Sequence, residues 1–340
     1  MAFVCEERVN LRRINYLLDE LSFQKYFSYC DYNEKDARKE YNKLQTYLLH
    51  KIKTNVYAKY NYVKKRKDGR LYGDKTSIQN IPRFIRHFIC EGDTTDIDMK
   101  NAHPKILYQL CKKYDYDCEC LEKYINNREE ILEKIQTKTN KTREEAKKLI
   151  LTAVNTNKNV NCREYSFVDN FSNEMKKIQK EFELNKDFEY VKQYAKKDNF
   201  EGSFINHILC ICEENILKVM RDYCEKYNYS IHSLAFDGLM LNGNYYDDMD
   251  LLNCIEKEIA SKTMFKMELT YKQQEPEFSV PDDYNPIVKN SYEDVKKEFE
   301  KTNCKVGVEF VNENRNDYNV YKIGEFGVLH QALKYYNEDL

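Results

Sequence analysis

The sequence predicts an α+β fold that is mostly helical, and three observations carry that expectation. Glycine and proline are scarce, at 9 and 5 of 340 residues, too few for the turn-dense architectures of all-β chains. Long stretches repeat apolar residues at three- and four-residue spacing, the period of a helix with one buried face. Against that background stand a few short stretches, near 94–99, 230–241 and 264–271, that read as strands. With 41% hydrophobic and 33% charged residues, the chain can build a substantial core and is no candidate for wholesale disorder.

Taken in order, residues 6–54 read as helices, with Leu11, Ile14, Leu17, Leu18 and Leu21 on one stripe and Tyr41, Leu44, Tyr47 and Leu48 on the next. Residues 55–95 read as irregular, basic and turn-rich, punctuated by Asp68-Gly69 and Gly73-Asp74. A strand at 94–99 leads into a helix from Lys105 to Lys113, with Pro104 near its first turn. Residues 119–192 and 203–226 are helical in pattern. SIHSLAFDGLML, residues 230–241, reads as two apolar strands broken at Asp237-Gly238, a hairpin with an acid at its tip. A helix around 247–261 and a strand near 264–271 follow. Pro276, Pro281 and Pro286 then interrupt all periodicity, so 276–291 reads as a linker, with one more helix expected at 291–301.

Global charge names no partner, since 55 basic residues face 57 acidic ones. Locally, residues 51–90 hold eleven Lys or Arg and only Asp68 and Asp74, a net of +9, which suits a phosphate-binding surface. Residues 276–340 carry a net of −5. The 12 cysteines form no C-x-x-C pair; Cys118/Cys120 and Cys210/Cys212 are C-x-C, so reduced thiols are expected rather than structural zinc. No signal peptide and no apolar run of about 20 residues is present, so membrane insertion is not expected. A cytoplasmic or nuclear location is the expectation.

Three segments carry chemistry. In DIDMKNAHPKIL, residues 96–107, Asp96 and Asp98 sit two apart on a strand, so both carboxylates share a face. Two such acids are costly unless solvated, paired or holding a cation. Asp237 stands at the tip of an otherwise apolar hairpin, and carboxylates at a strand end and a hairpin tip can build a two-metal site for hard cations. In REEAKKLILTAVN, residues 143–155, Arg143, Lys147, Leu151 and Asn155 follow one helical face, with two cations to suit a triphosphate and a base further along. Alone, each segment reads as readily as an exposed edge, a plain turn or a solvated helix.

Together and in this order, the segments resemble the palm of family A DNA polymerases. GRL at 69–71, SIQNIPR at 77–83 and IRHFI at 85–89 lead into the first acid, with QNIP and its following Arg the most specific piece. Laying Asp98 on that family's first catalytic acid puts His103 where the family has Glu and Lys105 at its basic residue. Residues 143–155 resemble the fingers helix, and Leu151-Thr152 leans toward single-subunit phage-type RNA polymerases. Phe236-Asp237-Gly238 resembles the His-Asp-Glu or His-Asp-Ser of the last motif. The likeness covers about two hundred residues. His103, Asn155 in place of Tyr, the Phe236 and Gly238 flanks, and DIDxxNAHP itself resemble the transposon–virus polymerase family of virophages, large DNA viruses and mobile elements. YEDVKKEFEKTNCKVGVEFV, residues 292–311, resembles what precedes a superfamily 3 helicase in such proteins, although no G-x-x-x-x-G-K-[ST] loop occurs in these residues.

The resemblance implies a right-hand polymerase with an antiparallel-sheet palm and helical fingers. Its parts would be a thumb-like or accessory region at 1–54, palm and fingers at 55–275, the linker at 276–291 and a pre-helicase segment at 292–340. Asp98 and Asp237 would hold two Mg²⁺ ions, with Mn²⁺ an acceptable substitute, one activating a primer 3′-hydroxyl and the other clamping the leaving pyrophosphate. The Met99 carbonyl would complete the set, and Asp96 is a further ligand or the rival of Asp98. Arg143 and Lys147 would bind the triphosphate of a dNTP or NTP, Leu151 would pack on its base, Asn155 would lie near the template and His103 near the sugar. Arg70, Gln79, Asn80, Arg83, Arg86 and Lys105 would contact DNA template and primer, mainly at sugar and phosphate. The implied function is template-directed nucleotide addition in DNA replication, foremost as a DNA polymerase with priming as an option and a superfamily 3 helicase in cis or trans. The alternatives are an RNA-synthesising primase of the same fold, a two-metal nuclease, and an inactive nucleic-acid-binding module that docks a helicase.

Overall fold

The computed structural model describes residues 2–30, 33–51, 57–63 and 66–285. The chain opens with a strand, β1 (Phe3–Glu6), followed by three helices, α1 (Leu11–Glu20), α2 (Phe23–Phe27) and α3 (Glu34–Lys51). Asn10 starts α1 by accepting the Arg13 N–H at 3.2 Å, which satisfies one of the four orphan donors of the helix. Next come β2 (Tyr57–Tyr62), β3 (Leu71–Gly73), a single 3₁₀ turn at Ile78–Asn80, and α4 (Arg83–Cys90). Strands β1, β2 and β3 form an antiparallel sheet in that order, Val4 opposite Lys59 and Asn61 opposite Tyr72.

Strand β4 (Thr94–Met99) and helix α5 (Ala102–Tyr114) follow, joined through Asn101 in the left-handed conformation at φ 58°. Asn tolerates that region better than most residues, which gives the Asn of NAHP a backbone reason. Helices α6 (Glu119–Asn126), α7 (Arg128–Thr139), α8 (Arg143–Asn155) and α9 (Ser166–Leu184) make a helical layer. A full capping box starts α8: Thr142 takes the Glu145 N–H and Glu145 takes the Thr142 N–H. The long α10 (Phe200–Lys226) then runs beneath the second sheet, which is built from β4, β5 (Ile231–Leu234), β6 (Gly238–Asn242) and β7 (Leu269–Lys272), with α11 (Met249–Lys262) between the last two. Its order is β5-β6-β4-β7, every neighbour antiparallel, so β4 with its acids lies in the middle.

The fold is thus α+β and mostly helical with antiparallel sheets, as the sequence predicts. One core unites α5 to α11 with both sheets; a second joins Ile14, Leu17, Leu44, Tyr47 and Leu48 to Ile78, Ile85 and Phe88. Residues 3–6 and 55–95 depart from expectation. Phe3–Glu6 is a strand, and the stretch read as irregular holds two strands and a helix. In β2 the alternation is real but carried by Ala58 and Tyr60 facing in and Tyr57, Lys59 and Asn61 facing out, residue types that a hydropathy pattern hardly separates. The helix expected at 291–301 and the segment 292–340 lie outside the described residues, as do residues 286–291 of the linker. Among the described residues no helix is long and apolar enough to cross a membrane.

Candidate active site

Strand pairing assembles the acids. Asp98 lies opposite Gly238, and the Met99 N–H donates to the Asp237 carbonyl at 2.8 Å, so the β5–β6 turn is stitched to the end of β4. Asp96 and Asp98 share a face of β4; Asp96 is buried, while the Asp98 side chain keeps 21% of its surface exposed. Burial raises the Asp98 carboxyl, the neighbouring Asp237 charge raises it further, and together they push it up to about 7. Burial likewise raises Asp237, with the Glu213 charge adding to it. Asp96 is also raised by burial, but there the Lys272 and Arg86 charges weigh more than Asp237. After burial, the Asp237 charge is the foremost influence on Asp98, whereas at Asp96 it follows two cations.

Oxygen donors that repel one another are what a hard divalent cation requires. Their counter-charge here is Lys272 of β7, whose Nζ donates to Asp98 Oδ2 at 3.4 Å. The residues present fit Mg²⁺: two carboxylates at the open end of a sheet, both raised by burial, with Asp98 raised further by the Asp237 charge, a repulsion that a dication would relieve. Nothing in YKQQ marks the place of Lys272 beside Asp98 on an adjacent strand.

Beyond Asp237 lies a buried polar network. The Arg70 guanidinium grips Glu213 of α10 with both ends of its fork, Nε to Oε2 at 2.6 Å and Nη2 to Oε1 at 3.1 Å. His103 Nε2 sits 3.2 Å from the same Oε1. Burial opposes charge on His103, but hydrogen bonds to Cys210 and Glu213 carry the imidazole up to about 9. His103, Cys210 and Glu213 are all buried, with their ligand atoms within 4.8 Å of one another, a grouping able to hold a metal ion. The sequence does not mark Glu213 either. It hides in the apolar helical run CICEENIL, where a charged residue reads as a surface position.

Helix α8 carries the third segment. Lys147, Leu151 and Asn155 line one open groove of about 600 Å³ together with Glu144, Lys148, Thr152 and Thr156. Leu151 is 41% exposed there, unusual for a leucine on a helix that buries its opposite face. Lys147 pairs with Glu144 at 2.6 Å. Arg143 is outside the groove lining and pairs with Glu129 of α7 at 2.6 Å. Asn155 is fixed from behind: its Oδ1 accepts from Asn206 at 3.1 Å and its carbonyl from Asn199 at 2.9 Å.

The residues expected at nucleic acid divide. Gln79 spends its amide inside the protein, accepting from the Gly73 N–H at 2.9 Å and donating to the Leu71 and Leu234 carbonyls at 3.3 and 2.9 Å. Asn80 donates to the Asp74 carbonyl at 2.6 Å. Gln79 thus braces β3 against β5, a structural job that leaves no free hydrogen-bonding end on its amide. Arg70 is committed to Glu213. Arg83 contacts His87 at 3.3 Å, Arg86 adds positive charge near Asp96, and Lys105 pairs with Glu268 at 2.9 Å. Met99 is buried, with its N–H used on Asp237.

No family model matches the chain. Over 242 residues it is 31% identical to a protein of Sputnik virophage described as "Putative helicase V13"; the match covers 66% of this chain and 31% of that protein, so the chain spans about a third of its relative's length. Among solved structures, the POL domain of Pol1 from M. smegmatis in complex with DNA primer-template and dNTP is a loose likeness, at TM-score 0.43 and 11% identity over 71% of this chain and 52% of that one.

Proposed function

We propose that the chain is a template-directed nucleotidyltransferase of nucleic-acid replication, foremost a DNA polymerase, with chain initiation as a second activity to be tested. The observation that carries this reading is the meeting of Asp98 on β4 with Asp237 in the β5–β6 turn stitched to that strand, the Asp98 carboxyl raised by burial and the Asp237 charge and the Asp237 carboxyl by burial and the Glu213 charge. The groove on α8, with Lys147, Leu151 and Asn155 on its wall, supports it by offering a cation, an apolar surface and an amide in a row. Similarity to a virophage protein named as a helicase supports a place in replication and a helicase as partner.

In this reading Asp98 and Asp237 hold divalent cations, Mg²⁺ by the chemistry of their donors; bound there, such ions activate a hydroxyl and stabilise a leaving pyrophosphate. Lys147 faces the triphosphate and Leu151 the base. Lys272 screens the acids until the ions arrive. Arg86 offers its charge to phosphates from α4, which follows the turn that Gln79 and Asn80 shape, while Lys105 would exchange Glu268 for a phosphate.

The test is extension on a defined template, with and without a labelled primer, with dNTPs or NTPs, beside Asp237→Ala. The expected result is primer extension with dNTPs, reduced at least about a thousandfold in the variant, the equivalent of about 4 kcal/mol of lost transition-state stabilisation. Unprimed products from NTPs would make it a primase. Template binding without any product, equal in both proteins, would overturn the catalytic reading and leave a nucleic-acid-binding module.

A further inference from the structure

Phe236, the residue before Asp237, has a positive φ of 55°. For a bulky side chain this is a true outlier that surrounding structure must enforce. Two groups hold its ring. The Arg70 guanidinium lies over it, Cζ 4.9 Å from the centroid, and Tyr72 meets it edge-on at 5.5 Å. The guanidinium is in turn oriented by the bidentate bond to Glu213, whose side chain is 1% exposed, and Glu213 is anchored a third time by His103. On the other side of Asp237 the sheet is fixed by the Met99 N–H and by Gly238, where an added Cβ would stand 2.2 Å from the Ile97 carbonyl oxygen.

Resting on the reading of Asp98 and Asp237 as the metal-holding pair, we propose that Glu213 is a positioning residue for Asp237: through Arg70 it clamps Phe236 and so holds the left-handed turn that aims the carboxylate. A carboxylate buried this deeply is costly unless its partners are in place. The cation–π stack between Arg70 and Phe236 is the contact that links the network to the acid. The same geometry argues against reading His103, Cys210 and Glu213 as an ion site in their own right. Both Glu213 oxygens are already in the Arg70 fork, and an incoming cation would meet a guanidinium and a charged imidazole.

The experiment is Mn²⁺ binding to the metal-free full chain, without nucleic acid or nucleotide, read by electron paramagnetic resonance at a temperature where each protein is folded. Wild type is compared with Glu213→Gln, Tyr72→Ala, Cys210→Ser and Asp237→Ala. Glu213→Gln is expected to weaken binding by roughly 10–100-fold, as loss of a group supporting a metal ligand does. In extension assays it should lower kcat while leaving the nucleotide KM within about twofold. Tyr72→Ala, at an exposed position, should weaken Mn²⁺ binding several-fold and decides the matter should Glu213→Gln not fold. Cys210→Ser should bind as wild type does. Wild-type affinity in folded Glu213→Gln would overturn the proposal, as would a Cys210→Ser loss equal to that of Glu213→Gln, which would make the cluster itself the ion site. Undiminished binding by Asp237→Ala would overturn the underlying reading and the positioning role with it.

Discussion

Asp98 has a carboxyl that burial and the Asp237 charge lift from an ordinary 3.8 to about 7, so the folded chain holds a proton that the unfolded chain releases. A raised carboxyl stabilises the fold below its unfolded pKa, and that contribution is lost as pH rises from about 4 through 7. Asp98→Asn removes the ionisation. The metal-free variant should match wild type near pH 4 and be more stable at pH 8, by on the order of 2 kcal/mol for a coupled, partly exposed pair. Urea denaturation at the two pH values checks it, and a variant less stable than wild type at pH 8 would mean the site contains a counter-charge not accounted for. His103 behaves as a raised base: its pairing with Glu213 is fully present below about 6.5 and is lost as pH climbs through about 9. Both groups therefore make the metal-free protein weaken from acid toward mild alkali, and a dication at Asp98 and Asp237 would reverse the first trend but not the second.

At the scale of elements, the hairpin of β5 and β6 shows what sequence makes legible. Its two apolar runs and the acid at their junction announce the turn, and β4 is legible as the short strand that sets Asp96 and Asp98 on one face. The reading of Gly238 as an ordinary turn glycine does not survive. Its requirement is space, because β6 pairs with β4 so that the glycine lies against the Ile97 carbonyl, where an added Cβ would stand 2.2 Å from the oxygen. Gly238→Ala should therefore cost about 2–4 kcal/mol, the range for a backbone-displacing substitution in a core. It should also abolish extension; a thermal melt within error of wild type would show that the two strands can move apart. What sequence could not supply were partners from distant elements. Glu213 sits at position 213 because α10 passes beneath Arg70 and His103, and Lys272 faces Asp98 across a pairing of strands 174 residues apart. The QNIP segment is legible as a landmark, yet the Gln79 amide is spent inside the protein while Asn80 stays exposed, since a motif's place in the chain carries no information about which way its side chains turn.

Across the whole molecule, the N-terminal residues are tied to the region around the site by one buried charge pair. Glu7 and Lys51 have fully buried side chains and meet at 2.6 Å. Glu7 also accepts from the Ser77 hydroxyl at 3.0 Å and the Ile78 N–H at 2.9 Å. The Tyr60 hydroxyl, 3.3 Å from Glu7, lies also 3.3 Å from the Leu234 N–H of β5, which donates to it. Through these bonds α3, the first sheet, the loop carrying Gln79 and the hairpin bearing Asp237 share one carboxylate. Burial raises that carboxyl even though the Lys51 charge and bond oppose the shift. Removing one partner leaves an uncompensated buried charge, so Glu7→Ala should cost about 3–5 kcal/mol, whereas Glu7→Gln with Lys51→Met should recover most of the loss. If the N-terminal helices belong to the same cooperative unit as the sheet, the single variant should keep one denaturant transition, shifted to lower urea when followed both by Tyr fluorescence and by far-UV circular dichroism. Two separated transitions, or a loss below about 0.5 kcal/mol, would show instead that residues 2–51 fold apart from the site and that the carboxylate they share with it ties nothing together.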